Sequence, residues 1–182
     1  VLFHRGLAYF NLGYPRLAVQ DYGAAVELDP QYAEGFNNRG LAHFRLGELE
    51  RAIEDYDEAL RLDPQYADAY NNRGASHAGL GQIQPAIDDF TEAIRLDSQD
   101  AVSRYNLGLA YFNSGEPESA LASLDWAIGL DSELAVAYAH RAMTLTLLGR
   151  DDDARRDLDK AVELGVDGGP LAEALERLKE QR

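Results

Sequence analysis

Four histidines, 32 acidic residues and no cysteine bound the chemistry open to this 182-residue chain. His43 and His77 stand 34 residues apart, in a column that elsewhere holds Tyr9 and Tyr111. Neighbouring helices would bring the two rings together, but a metal needs further ligands and the spacing supplies none, so packing as an aromatic-like side chain is the competing reading. Asp151, Asp152 and Asp153 resemble a metal cluster in composition. They open a helical pattern, however, where carboxylates cap free N–H groups and favour the helix dipole. The lack of cysteine excludes a disulfide scaffold, a thiolate zinc site and a cysteine nucleophile. No P-loop, HExxH, GxSxG or EF-hand pattern is present, and no serine pairs with a histidine by repeat position. The expectation is a protein without catalysis, cofactor or metal.

Two further columns carry polar chemistry. Arg5, Arg39, Arg73 and Arg141 share one phase, and Asp21, Asp55, Asp89 and Asp157 share another, 16 residues on. In the fourth copy both change together, to Leu107 and Ser123. Losing both partners avoids stranding one charge, so an Arg–Asp bridge within each hairpin is expected, with a structural role. Asn38, Asn72 and Asn106 also recur at 34 residues, with His4 and His140 in their column at the two ends. An amide offers donors and an acceptor, and a row of them suits the N–H and C=O groups of an extended main chain. Solvated polar positions near a helix start are the alternative.

The elements that hold these residues follow from self-similarity at 34 residues. Gly13, Gly47, Gly81, Gly115 and Gly149 form one column, and Ala18, Ala52, Ala86, Ala120 and Ala154 another. Ala25, Ala59, Ala93, Ala127 and Ala161 form a third, and Leu28, Leu62, Leu96, Leu130 and Leu164 a fourth. Within each copy two apolar runs have i, i+3, i+4, i+7 spacing. They predict ten helices in five hairpins, over 1–12 and 15–28, 33–46 and 49–62, 67–80 and 83–96, 101–114 and 117–130, 135–148 and 151–164. An eleventh helix, about 170–181, carries Leu171, Leu175 and Leu178 on one stripe and reads as a cap over the last repeat. Repeats at about 1–32, 33–66, 67–100, 101–134 and 135–168 make the whole of 1–182 a single array. One hairpin cannot bury its own apolar face, so the copies must stack.

With this period, the pattern Gly40, Gly47, Ala52, Tyr56, Ala59, Pro64 and its copies resembles the tetratricopeptide repeat (TPR) family over 1–164. The resemblance implies an all-α, right-handed α-solenoid of five hairpins plus a C-terminal capping helix. It also implies a protein-interaction module that lays an extended peptide or partner segment in a concave groove lined by the first helices. The asparagine column is then similar to the asparagine ladder of some TPR proteins. Asn38, Asn72 and Asn106 are the primary candidates, with Asn37, Asn71, His4 and His140 beside them. Phe44 and Phe112 flank Ala78, which with Ala75 and Gly79 makes a candidate notch, unless the two Phe side chains simply pack between repeats. The carboxylate clamp of TPR co-chaperones does not carry over, since its cations are missing in every register. Arg104 stands where Phe36, Tyr70 and Tyr138 do, and Ser98, Ser132 and Val166 replace the proline of Pro30 and Pro64, so looser stacking is expected near 98–104.

Charge and hydropathy narrow the partners. The chain has 17 basic residues against 32 acidic ones, a net charge of −15, which opposes nucleic-acid binding. No apolar run reaches the roughly 20 residues of a membrane span, so no membrane contact is expected from this segment. Much of the acidic surplus falls on second helices, as Glu50, Glu54, Asp55, Asp57 and Glu58 do, and reads as a solvated face. Trp126 breaks that pattern: its column otherwise holds Ala24, Glu58, Glu92 and Lys160. It is a possible second contact. The partner is expected to be a protein or peptide. The alternatives are self-assembly through Trp126 or the first helix, and a recruiting or regulatory domain of a larger protein or enzyme. The chain opens on Val1 in a helical pattern, which reads as a fragment or processed product whose targeting signal lies elsewhere and leaves its compartment open.

Overall fold

The computed structural model describes residues 1–180. Among them eleven helices and no strand occur. The chain divides into two compact units, Val1–Asp97 and Ser98–Arg182.

The first unit holds three hairpins. They are α1 (Leu2–Asn11) with α2 (Pro15–Leu28), α3 (Ala33–Arg45) with α4 (Leu49–Leu62), and α5 (Ala67–Gly79) with α6 (Ile83–Leu96). The second holds α7 (Ala101–Ser114) with α8 (Pro117–Leu130), α9 (Ala135–Leu147) with α10 (Asp151–Glu163), and α11 (Gly168–Glu180). The ten hairpin helices begin and end within one residue of the predicted ranges. The eleventh starts two residues early, and residue 181, in its predicted range, lies outside the described residues.

Each hairpin turns on the glycine column. Gly13, Gly47, Gly81, Gly115 and Gly149 have φ between 73° and 81°, a region that disfavours any side chain. Between hairpins the turn is held by aspartate rather than by proline alone. Asp29, Asp63 and Asp131 accept the N–H of the residue two positions on, at 2.9–3.1 Å. Such an Asx turn serves equally where proline is present, after Asp63, and where Ser132 replaces it.

The small-residue columns let helices approach, and one large residue per hairpin fills the gap between them. In the first unit Tyr22, Tyr56 and Phe90 are buried against Ala18, Ala52, Ala86 and their neighbours. The rings reach so close to Gly6, Gly40 and Gly74 that an added Cβ would sit 2.8–2.9 Å from ring carbons. Second helices α2 and α4 then pack on the following first helices α3 and α5. In the second unit Leu124 does the work of the rings, opposite Gly108, and α8 packs on α9.

Helix α11 covers the last hairpin as the sequence suggests, though not with its whole stripe. Leu171 and Leu175 are buried in a cluster with Ala139, Ala142, Leu145, Ala154 and Ala161. Leu178, one turn further on, is only half-buried, because it lies near the end of the helix. The Asp167 carboxylate accepts the Gly169 N–H at 3.0 Å and starts the helix.

Candidate peptide-binding surfaces

The Arg–Asp bridges form within hairpins. Arg5–Asp21, Arg39–Asp55, Arg73–Asp89 and Arg141–Asp157 lie at 2.5–2.7 Å, with each carboxylate buried. The hydrogen bond from Arg5 holds the Asp21 carboxyl below its ordinary value. Two of the arginines also reach the preceding hairpin, at a column the covariation did not address: Arg73 binds Asp57 at 2.6 Å and Arg141 binds Asp125 at 2.8 Å. The partner lies two residues beyond the expected column. Arg39 has no such partner because Gly23 stands there, 3.9 Å from the guanidinium for an added Cβ. Arg39, Arg73 and Arg141 also lie 5.4–5.5 Å from the rings of Phe36, Tyr70 and Tyr138, one helical turn back. Each arginine therefore clamps the two helices of its hairpin, and two of them clamp successive hairpins as well.

The fourth hairpin rebuilds this device from other positions. Arg104 occupies the aromatic position, Leu107 and Ser123 replace the ion pair, and the Arg104 guanidinium lies 4.9 Å from the Trp126 ring on α8. The swap was not foreseen from sequence, although all four departures fall in one copy. Trp126 is exposed, as its repeat position implies.

On the first helices of the first unit, the amides are already partly committed. Asn38 donates to the Glu34 carbonyl of its own helix at 2.8 Å. Asn72 donates to the Asn37 side-chain oxygen at 3.1 Å, and Asn37 donates to the Tyr66 hydroxyl at 3.3 Å. Asn37 is buried, whereas Asn38, Asn71 and Asn72 are half-buried. His4 is exposed and meets Phe3 edge-on. Phe44 is half-buried, and so are Ala75 and Ala78. Gly79 is exposed, but Leu49 fills the space over it: a Cβ there would be 2.8 Å from the Leu49 Cδ1. The notch is therefore narrowed from the Gly79 side by the chain's own leucine.

In the second unit Asn106 and Phe112 are half-buried on α7. His140 Nδ1 on α9 donates to the Val136 carbonyl at 2.9 Å and lies 3.2 Å from the Tyr105 hydroxyl oxygen. Burial depresses its pKa and favours the neutral ring. Tyr105–His140 repeats the 35-residue offset of Asn37–Asn72, so in both units this pair of positions joins successive first helices.

The two histidines of the column shared with Tyr9 and Tyr111 are largely covered and also hydrogen-bonded within their own hairpins. His43 Nδ1 lies 2.6 Å from Glu48, and His77 Nδ1 lies 2.6 Å from Gln82. Among the described residues no group of three His, Cys, Asp or Glu is gathered as for a metal. The acidic run at the start of α10 lies in its first turn, where the dipole favours it, but the helix has no side-chain cap. Asp153 instead pairs with Arg150 and Arg156. Among the described residues no helix is long and apolar enough to cross a membrane.

Tandem helix hairpins stacked through alanine and glycine columns, with one large residue filling each, define an all-α repeat protein of the solenoid class. Family models described as TPR repeat match residues 6–47 and 44–81, and models described as tetratricopeptide repeat match 67–100 and 105–173. The chain belongs to the tetratricopeptide repeat family, whose fold is that of protein-interaction modules. The solved structure of MamA is 27% identical with a TM-score of 0.79, covering 87% of this chain and 93% of that one. A MamA from Desulfovibrio magneticus RS-1 is 23% identical with a TM-score of 0.81, covering 90% and 92%. YrrB, described as a TPR protein with an unusual peptide-binding site, is 22% identical with a TM-score of 0.77, covering 97% and 90%. No curated protein matches the chain significantly.

Proposed function

We propose that the chain binds an extended segment of a partner protein along the first-helix faces of its hairpins and carries out no catalysis. The observation that carries this reading is the Tyr66–Asn37–Asn72 chain of hydrogen bonds in the first unit. It fixes the Asn72 amide in one orientation while using only one of its two N–H groups. A fixed amide meets a ligand main chain at a lower entropic cost than a free one. Asn38 is oriented in the same way by Glu34 and retains a second N–H and its oxygen. Phe44 and the Ala75/Ala78 recess are the apolar contacts of the first unit, and Asn106, His140 and Phe112 take the corresponding positions of the second.

A random-peptide phage library panned against the full chain, followed by calorimetry on a selected peptide, tests the reading. Asn72→Ala is expected to weaken binding by roughly 1–2 kcal/mol, as for hydrogen bonds left unmade. Ala78→Phe fills the recess and is expected to abolish binding with the melting temperature unchanged, whereas Asn72→Ala also removes the donor to the buried Asn37 oxygen and should lower the melting temperature, so binding is compared where both variants are folded. Selected peptides that bind both variants as they bind the parent would refute the assignment.

A further inference from the structure

The outer faces of the second helices carry a repeated device. Glu58 and Arg61 pair across one turn of α4 at 2.6 Å, Glu92 and Arg95 pair on α6 at 2.7 Å, and Lys160 and Glu163 pair on α10 at 2.9 Å. All three pairs occupy the same two repeat positions, and each covers the last turn of its helix with opposite charges. On α8 those positions are Trp126 and Gly129.

Neither residue is explained by packing. Trp126 is 61% exposed. Gly129 is not among the glycines with positive φ, and a Cβ added there would meet nothing within 4 Å. Glycine is the poorest helix former after proline, so its use at an open helical position has no local benefit. Its effect is to leave a shallow depression lined by Asp125, Trp126, Gly129 and Leu130. The Arg104 guanidinium, 4.9 Å from the ring, steadies Trp126 in place. The surrounding charge is net negative, although the Arg104 guanidinium lies over the ring and Arg141 pairs with Asp125. Residues 105–140 contain five carboxylates (Glu116, Glu118, Asp125, Asp131 and Glu133), all exposed, and no Lys or Arg. The depression also lies at the C-terminal turn of α8, the negative end of the helix dipole.

We propose that this patch docks an arginine-bearing segment of a partner protein, whose guanidinium takes the place over α8 that Arg61 and Arg95 take in cis on α4 and α6. The exposed ring offers a π face to the cation. The aliphatic stem of the incoming arginine lies over Gly129 and Leu130, and its head reaches the carboxylates and the free carbonyls of the helix end. A second copy of the chain is a poor occupant, because two such patches would meet acid to acid and the whole chain carries a charge of −15. Nucleic acid has the wrong sign for the same reason. The surface lies on the second helix of its hairpin and is separate from the first-helix faces proposed above.

Trp126 is the sole tryptophan, so its emission reports the site directly. The full chain is titrated with a synthetic peptide of alternating leucine and arginine, and with the same peptide carrying citrulline, which keeps the shape and removes the charge. The arginine peptide is expected to give a saturable emission change, and the citrulline peptide to bind at least about tenfold more weakly. Gly129→Arg, which supplies the guanidinium in cis, should weaken the arginine peptide by about tenfold or more, while Gln84→Arg, the same charge change on α6, should alter it by less than about twofold. The melting temperature of Gly129→Arg should not fall, because the position is open and a better helix former replaces glycine. No saturable change, equal affinity for the citrulline peptide, or equal effects of the two arginine variants would overturn the proposal. Asn72→Ala should leave this titration unchanged whatever it does to peptides selected for the first-helix faces, so the two readings fail independently.

Discussion

Gly40→Ala and Gly108→Ala make the same chemical change at the same repeat position, and the structure gives them opposite expected outcomes. A Cβ on Gly40 would lie 2.8 and 3.0 Å from Tyr56 ring carbons and 3.1 Å from the Ala52 carbonyl oxygen. Tyr56 is fully buried, and its planar ring is confined between two helices. Overpacking of this kind costs about 1–3 kcal/mol. Removing a helix-interior glycine returns about 0.8–1.0 kcal/mol. Gly40→Ala should therefore destabilise by about 1 kcal/mol, within a range of about 0–2. At Gly108 the contact is to the Leu124 Cγ, also at 2.8 Å, and the backbone oxygen of Ala120 is further away at 3.4 Å. A leucine can change rotamer where a ring cannot. The fifth hairpin already contains that solution, with Ala142 in the glycine column and Leu158 in the column of Tyr56. Gly108→Ala should be neutral or stabilising by up to about 1 kcal/mol. Urea unfolding followed by circular dichroism compares the two, and Trp126 fluorescence reads the second unit alone. Adding Tyr56→Leu to Gly40→Ala should recover part of the loss, giving a coupling of about 1 kcal/mol in a double-mutant cycle. Gly40→Ala as stable as Gly108→Ala, or strict additivity in the cycle, would show that the ring does not set the helix separation.

Other outcomes follow from single observations. The Tyr56 hydroxyl is buried without a hydrogen-bond partner, and Phe90 fills the same position in the next hairpin, so Tyr56→Phe should stabilise by about 1 kcal/mol in urea unfolding. Leu175→Ala should destabilise by about 2–4 kcal/mol, since it opens the cluster beneath α11; a smaller loss than for Leu178→Ala would mean that α11 does not cap the last hairpin. Burial raises the Tyr22 hydroxyl from 10.0 to about 12, so the fold prefers its neutral form. That contribution is complete below pH 10 and is lost as the pH rises towards about 12. Unfolding midpoints across this range should fall less steeply in Tyr22→Phe, with the phenolate absorbance of the parent rising as it unfolds.

The helices, their turns and the intrahairpin ion pairs were legible in the sequence because they depend on spacing within one copy. Helical periodicity places the apolar faces, glycine marks each left-handed turn, and the joint loss of Arg and Asp at Leu107 and Ser123 identifies each pair. The N–H bonds of the Asx turns show that Asp131 holds its interhairpin turn where Ser132 stands in place of proline. The remaining features depend on the rotation and rise from one hairpin to the next, which a period of 34 does not encode. That rotation takes Arg73 and Arg141 to Asp57 and Asp125 rather than to the neighbouring column. It also sets Asn72 on Asn37 and Tyr105 on His140, at a 35-residue offset rather than 34. Within the fourth hairpin the sequence showed Arg104 and Trp126 as two separate oddities. Their stacking follows from the distance between facing helices α7 and α8, set by the small residues packed between them, and it turns two departures from the repeat into one feature.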